Sequence, residues 1–273
     1  MHKRMKRLVL TLLSLLVVAT TMQAYELKVV NVPSPAMDKY VPVTVITPDD
    51  YDPTQRYDVV YLLHGYSDNH ESWPARGKVG PHADRYNLIF VCPNGNNSWY
   101  WDSPIDPTFR YETFVAKELV EWIDANYSTN ATRTGRAITG LSMGGHGALY
   151  LALRHQEVFG AAGSTSGGVD IRPFNDWEIA TRLGSKEEHP EHWEAYTVTN
   201  MLDRLSSEGS LALIIDCGTE DFFYEVNCEL HAKLLERKIP HDFYVRPGAH
   251  NWHYWVGSIE HQLLFFDNYF KKN

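Results

Sequence analysis

Arg136-Ala-Ile-Thr-Gly-Leu-Ser-Met-Gly-Gly-His146 is the stretch on which the fold of this chain turns. A short apolar run, Ala137–Leu141, enters it, and a helix-forming run, Met143–Leu153, leaves it. Ser142 stands between Gly140 and Gly144, the G-x-S-x-G spacing of a sharp strand-to-helix turn that lifts a hydroxyl above a sheet. The residues two before and two after the serine must be small, or such a turn cannot close. The backbone N–H of Met143, at the start of the helix, would face the same space as the Ser142 hydroxyl and stabilise negative charge developing there. The stretch therefore predicts acyl transfer through a serine, carried on a sheet.

Working outward, apolar runs alternate with longer helical segments. Strands are expected at Leu27–Val32, Val41–Thr47, Asp58–Leu63, Leu88–Cys92, Ala137–Leu141, Ala161–Ser164, Leu211–Asp216 and Phe243–Val245. The first two, joined through a Pro-containing turn, read as an antiparallel hairpin. The later strands are separated by enough chain to cross over. Helices are expected at Tyr111–Tyr127, where Phe114, Leu119, Trp122 and Ile123 share a face, at Met143–Leu153, and at Glu229–Lys238 and Ile259–Phe270. This alternation predicts a mainly parallel sheet of eight strands with helices on both faces. Asp170–Asp203 is polar, carries Pro173, Pro190 and Trp193, and matches no strand. It reads as a small helical insertion over the C-terminal edge of the sheet, where open α/β sheets bind ligands.

A serine hydroxyl needs a base, and the base an orienting carboxylate. After such an elbow the acid comes first in the chain and the histidine last, each beyond a strand. Leu211–Asp216 runs into Cys217-Gly-Thr-Glu-Asp-Phe222, which offers Glu220 and Asp221; Asp216 is still in the strand and less free to reach. Phe243–Val245 runs into Arg246-Pro-Gly-Ala-His-Asn-Trp-His253, which offers His250 and His253. A second oxyanion donor is expected after the third strand, in Tyr61-Leu-Leu-His-Gly-Tyr66, from the N–H of Tyr66. His64 precedes the acid and is read as fixing that loop.

Four blocks together resemble the esterase D family of α/β-hydrolases: Leu62-Leu-His-Gly65, Pro93-Asn-Gly-Asn-Asn-Ser-Trp-Tyr100, Gly140-Leu-Ser-Met-Gly-Gly145 and His250-Asn-Trp-His-Tyr-Trp255. That family includes feruloyl and acetyl xylan esterases, S-formylglutathione hydrolases, tributyrin-type esterases and mycolyltransferases. The resemblance implies Ser142 as nucleophile, Asp221 as acid and His250, rather than His253, as base. It places the oxyanion donors at Tyr66 and Met143. It also implies an α/β-hydrolase fold and chemistry that needs neither metal nor organic cofactor. Trp99, Tyr100 and Trp101 are expected to stack a sugar or phenolic acyl group. Trp252 and Trp255 are expected to buttress His250.

Of 273 residues, 44% are hydrophobic and 22% charged, as in an ordinary globular domain, and one domain over residues 25–273 is expected. Lys3, Arg4, Lys6 and Arg7 precede an apolar run, Leu8–Ala19, and small or polar residues up to Ala24. Residues 1–24 read as a cleaved signal peptide, too short to span a bilayer, and imply export to a periplasm or the medium. Without its four basic residues the chain has 21 Lys and Arg against 34 Asp and Glu, a net charge of −13. That balance argues against nucleic acid and anionic membrane surfaces as partners and leaves neutral substrates open; the family resemblance implies a small acyl ester or an acylated plant saccharide. Cys92, Cys217 and Cys228 are too few for a disulfide framework, although Cys217 and Cys228 leave one bridge open. His189 and His192, among Glu187, Glu188 and Glu191, lack the H-E-x-x-H pattern and read as a solvated face, not a metal site.

Overall fold

The computed structural model describes residues 25–205 and 210–273; the expected signal segment lies outside them. Eight strands form one sheet: β1 (Glu26–Ser34), β2 (Lys39–Thr47), β3 (Val59–Leu63), β4 (Ile89–Pro93), β5 (Arg136–Gly140), β6 (Ala161–Thr165), β7 (Ala212–Gly218) and β8 (Asp242–Arg246). Their spatial order is β1-β2-β4-β3-β5-β6-β7-β8, antiparallel across β1-β2 and β2-β4 and parallel from there on. This is the sheet expected from the strand–helix alternation. β1 and β2 pair as the expected hairpin, through the turn Pro35–Met37 and a left-handed Asp38.

The central strands read as unbroken apolar runs because both of their faces are covered. Along β3, Val59, Tyr61 and Leu63 enter one core, and Val60 and Leu62 enter the other. The first core is closed by helices Met143–Arg154 and Tyr224–Glu236 and by the helical segment from Tyr111 to Asn126, whose middle turns, Phe114–Leu119, are π-helical. The second is closed by Gly80–Tyr86 and by the last helix, Trp252–Phe270. That last helix starts seven residues earlier than its apolar periodicity announces, because Asn251 caps it by accepting a hydrogen bond from the Tyr254 N–H. The insertion folds as two short helices, Ile179–Leu183 and Pro190–Ala195, followed by two 3₁₀ turns.

The chain runs outward from β3 to β4 on one side and from β5 to β6 on the other. The strand order therefore switches between β3 and β5, and the loops leaving their C-terminal ends part there to form a crevice. The Gly65–Tyr66 turn follows one of these strands and Ser142 follows the other.

Candidate active site

Ser142 sits at φ 56° and ψ −119°, a backbone conformation L-residues avoid, between β5 and the helix Met143–Arg154. The flanking glycines make that turn possible. A Cβ on Gly140 would lie 2.5 Å from the backbone of Gly144, and one on Gly144 would lie 2.3 Å from the Leu63 carbonyl oxygen. Both obstacles are main chain and cannot swing away. The sequence requirement for small residues is thus a requirement for two backbones to touch.

The loops after β7 and β8 are laced together by backbone bonds, Thr219 N–H to the Arg246 carbonyl and Glu220 N–H to the Gly248 carbonyl. This lacing brings Asp221 and His250 side by side. His250 Nδ1 lies 3.0 and 2.9 Å from the two carboxylate oxygens of Asp221, and its Nε2 lies 2.9 Å from Ser142 Oγ. A carboxylate accepts, so Nδ1 carries the proton, and Nε2 is left to accept the Ser142 hydroxyl proton. Asp221 is buried and also accepts from the Phe223 N–H at 2.8 Å, which holds the carboxylate in place.

The alternatives left open by chain order are placed elsewhere. Asp216 is fully buried in β7, accepting from Ser258 Oγ at 2.6 Å, and burial pushes its carboxyl above the usual range. Glu220 and His253 are exposed. His64 is fully buried; its Nδ1 donates to the Gly65 carbonyl at 2.7 Å and its Nε2 accepts from the Gly95 N–H at 2.8 Å. Burial drives its pKa down to about 4, so the ring is neutral and spent on the loop.

That bond has a geometric consequence. The Gly65 carbonyl and the Tyr66 N–H belong to one planar trans peptide and point in opposite directions. Holding the carbonyl on His64 turns the Tyr66 N–H away from the His64 ring, and Gly65 itself lies close to the nucleophile, a Cβ there standing 3.4 Å from the Ser142 Cβ. Met143 contributes the other expected N–H, at the first position of its helix, where no intrahelical acceptor exists. The Tyr66 hydroxyl reaches the insertion, donating to Glu178 at 3.2 Å.

A cavity of about 300 Å³ opens over Ser142, lined chiefly by Tyr66, Trp99, Trp177, Phe222, Phe223 and Trp255. Two of the three aromatics expected to stack substrate do not reach the cavity. Tyr100 and Trp101 are buried, Tyr100 donating to the His64 carbonyl and Trp101 to His146 Nε2, so they pack the loop after β4 from within. Trp99 borders the cavity with one edge, but it is only 1% exposed and its indole N–H donates to the Trp177 carbonyl. The open aromatic surface comes instead from Trp177 and Phe222, whose rings stack 5.6 Å apart at 16°. Phe222 also covers His250, with 4.2 Å between centroids. Neither residue was singled out from the sequence. Trp177 lies in the insertion, which matches no strand, and Phe222 has no sequence signal beyond following Asp221.

Trp255 meets His250 edge-on at 4.9 Å, as expected of a buttress, and donates to Ser166 Oγ. Trp252 stands behind it, edge-on to Trp73 and Trp255. Cys217 and Cys228 are free thiols, so the bridge left open by the sequence is not formed. No helix among the described residues is long and apolar enough to cross a membrane.

Known proteins resemble this chain over most of its length. A ferulic acid esterase structure superposes with a TM-score of 0.79 at 28% identity, over 90% of this chain and 99% of that one. The acetyl esterase of Caldicellulosiruptor saccharolyticus is 27% identical over 219 residues, 72% of this chain and 78% of its own. Esterase Rv1288 of Mycobacterium tuberculosis is 28% identical over 239 residues, 76% of this chain, although the match spans only 52% of that longer protein. The fold is that of the α/β-hydrolase-type esterases. The Esterase family model matches residues 34–266, nearly the whole of the described chain, and the protein therefore belongs to the Esterase family.

Proposed function

We propose that this protein is an exported serine carboxylic ester hydrolase that removes acyl groups, feruloyl or acetyl, from plant polysaccharide. The observation that carries the reading is the unbroken line from Asp221 through His250 to Ser142 Oγ, with contacts of 2.9–3.0 Å, at the floor of an aromatic cavity. His250 takes the Ser142 proton as Oγ attacks the ester carbonyl carbon. The carbonyl oxygen becomes an oxyanion between the amides of Tyr66 and Met143, while Asp221 stabilises the imidazolium. Collapse expels the alcohol, which receives the proton from His250 and leaves an acyl-enzyme on Ser142. Water, deprotonated by His250, then attacks the acyl carbon, releases the acid and restores the hydroxyl. No step requires a metal or organic cofactor.

The choice of acyl group rests on the cavity wall. Trp177, Phe222, Phe223 and Trp255 offer flat apolar faces, which suit a planar phenolic acyl group better than a methyl. The ferulic acid esterase neighbour and the acetyl esterase relative support the two candidate classes. Export rests on the basic-then-apolar segment of residues 1–24.

Ser142→Ala should remove p-nitrophenyl acetate hydrolysis and labelling by a fluorophosphonate, a loss on the order of 10⁶-fold in kcat. Wild-type turnover in that variant would overturn the assignment. Measured side by side, release of ferulate, of acetate from xylan and of butyrate from tributyrin would rank the acyl classes. Dominant tributyrin cleavage would favour a lipid-directed short-chain esterase or acyltransferase. Xylan binding without any turnover would point to a carbohydrate-binding protein on a hydrolase fold.

A further inference from the structure

The insertion carries a second group of chemistry-bearing side chains, none of which lines the cavity over Ser142. His189, Glu191 and His192 each bring one donor atom to within 4.8 Å of the other two. Glu191 Oε1 stands 3.5 Å from His189 Nδ1 and 3.7 Å from His192 Nε2. Around a tetrahedral ion with ligands at about 2.0–2.1 Å, neighbouring donors are about 3.3–3.4 Å apart. Two edges of the triangle are thus near the required spacing, and a small turn of the half-buried His189 ring closes the third.

Other features prepare these donors. His192 Nδ1 donates to the Leu183 carbonyl at 2.6 Å, which fixes the tautomer that leaves Nε2 unprotonated on the Glu191 side. The two imidazole rings lie nearly parallel, with centroids 4.8 Å apart at 7°, so both donors belong to one compact cluster. Glu187 and Glu188 add negative charge along the same loop.

We infer that His189, Glu191 and His192 bind a zinc-type divalent ion, with water completing its coordination. Two imidazoles and one carboxylate suit Zn²⁺ better than Mg²⁺ or Ca²⁺, which prefer all-oxygen sites. All three ligands lie at the start of helix Pro190–Ala195, and the bond from His192 Nδ1 to the Leu183 carbonyl ties that start to the end of helix Ile179–Leu183. The latter helix starts directly after Trp177 and Glu178, so an ion that fixes the His192 ring steadies the cavity wall only through that hydrogen bond. Its role is structural, and ester hydrolysis does not pass through it.

The test uses untagged, chelator-stripped protein titrated with ZnSO₄ by calorimetry, with Co²⁺ as a spectroscopic probe. One ion per chain is expected with Kd below ~100 µM, four-coordinate Co²⁺ absorption bands and a rise in Tm. His189→Ala and His192→Ala should each abolish binding and the Tm rise, and Glu191→Gln should weaken binding about tenfold or more. All three variants should keep wild-type p-nitrophenyl acetate hydrolysis in chelator, and His189→Ala and Glu191→Gln wild-type Tm as well, so binding and turnover are read independently. Absence of saturable binding in that range, or wild-type binding by His189→Ala or His192→Ala, would overturn the site.

Discussion

Gly144 packs against main chain: a Cβ there would lie 2.3 Å from the Leu63 carbonyl oxygen and 2.6 Å from that of His64. Overpacking of this kind is relieved only by moving β3 or the elbow. Gly144→Ala should therefore cost about 1–3 kcal/mol in urea unfolding and most of the ester turnover. His64 acts at one remove from the chemistry. Its ring is neutral and holds the Gly65 carbonyl, and through that peptide plane it aims the Tyr66 N–H. Removing an oxyanion donor outright costs about 10²–10³ in kcat, and letting it drift should cost less. His64→Phe is expected to lower kcat by roughly 10- to 100-fold with KM little changed. Steady-state kinetics, with Tm followed in parallel, would separate that pattern from general unfolding.

Among the elements, the insertion and the loop after β7 shape what the nucleophile meets. Trp177 and Glu178 are consecutive non-glycine residues in the left-handed region, at φ 56° and 58°. That strain is held by the Trp99 indole donating to the Trp177 carbonyl and by Tyr66 and Asn97 donating to Glu178. The result is an indole face stacked on Phe222 beside His250. Aromatic stacking contributes about 0.5–1.5 kcal/mol beyond area burial, so Trp177→Ala should lower kcat/KM for methyl ferulate about tenfold. Hydrolysis of p-nitrophenyl acetate, monitored at 405 nm, should stay within about twofold, since an acetyl group offers no ring to stack. An equal loss on both substrates would mean that Trp177 only supports the triad.

Across the whole molecule, two buried histidines couple stability to pH. His64 and His146 are both fully buried and neutral, with pKa values lowered by burial from 6.5 to about 4. An unfolded chain protonates them near 6.5, and the folded chain resists until about 4. Their contribution is therefore fully present above about pH 6.5 and is lost as pH falls toward 4. The urea midpoint should drop progressively through that window. A variant carrying His146→Asn should show a shallower drop, even if it starts from lower stability.

Local chemistry carried much of this protein into plain view. The strands announced themselves because two covered faces demand uninterrupted apolar runs, and the Ser142 elbow because only glycines let two backbones touch. Chain order then narrowed the acid and base to a few residues beyond β7 and β8. What the sequence left unsettled depends on contacts between distant segments. Ser72–Ala75 and Gly80–Tyr86 are too short to show a helical period, and the start of the last helix was hidden in a run of aromatics and histidines. Tyr100 and Trp101 looked like a binding platform because an aromatic side chain suits a core and a cleft equally well; only the packing of the loop after β4 turned them inward. The same packing left Trp177 and Phe222 to wall the cavity. The nucleophile was thus written in local backbone geometry. The surroundings that select its substrate were decided by the tertiary structure, because burial is a property of neighbours brought together by the fold.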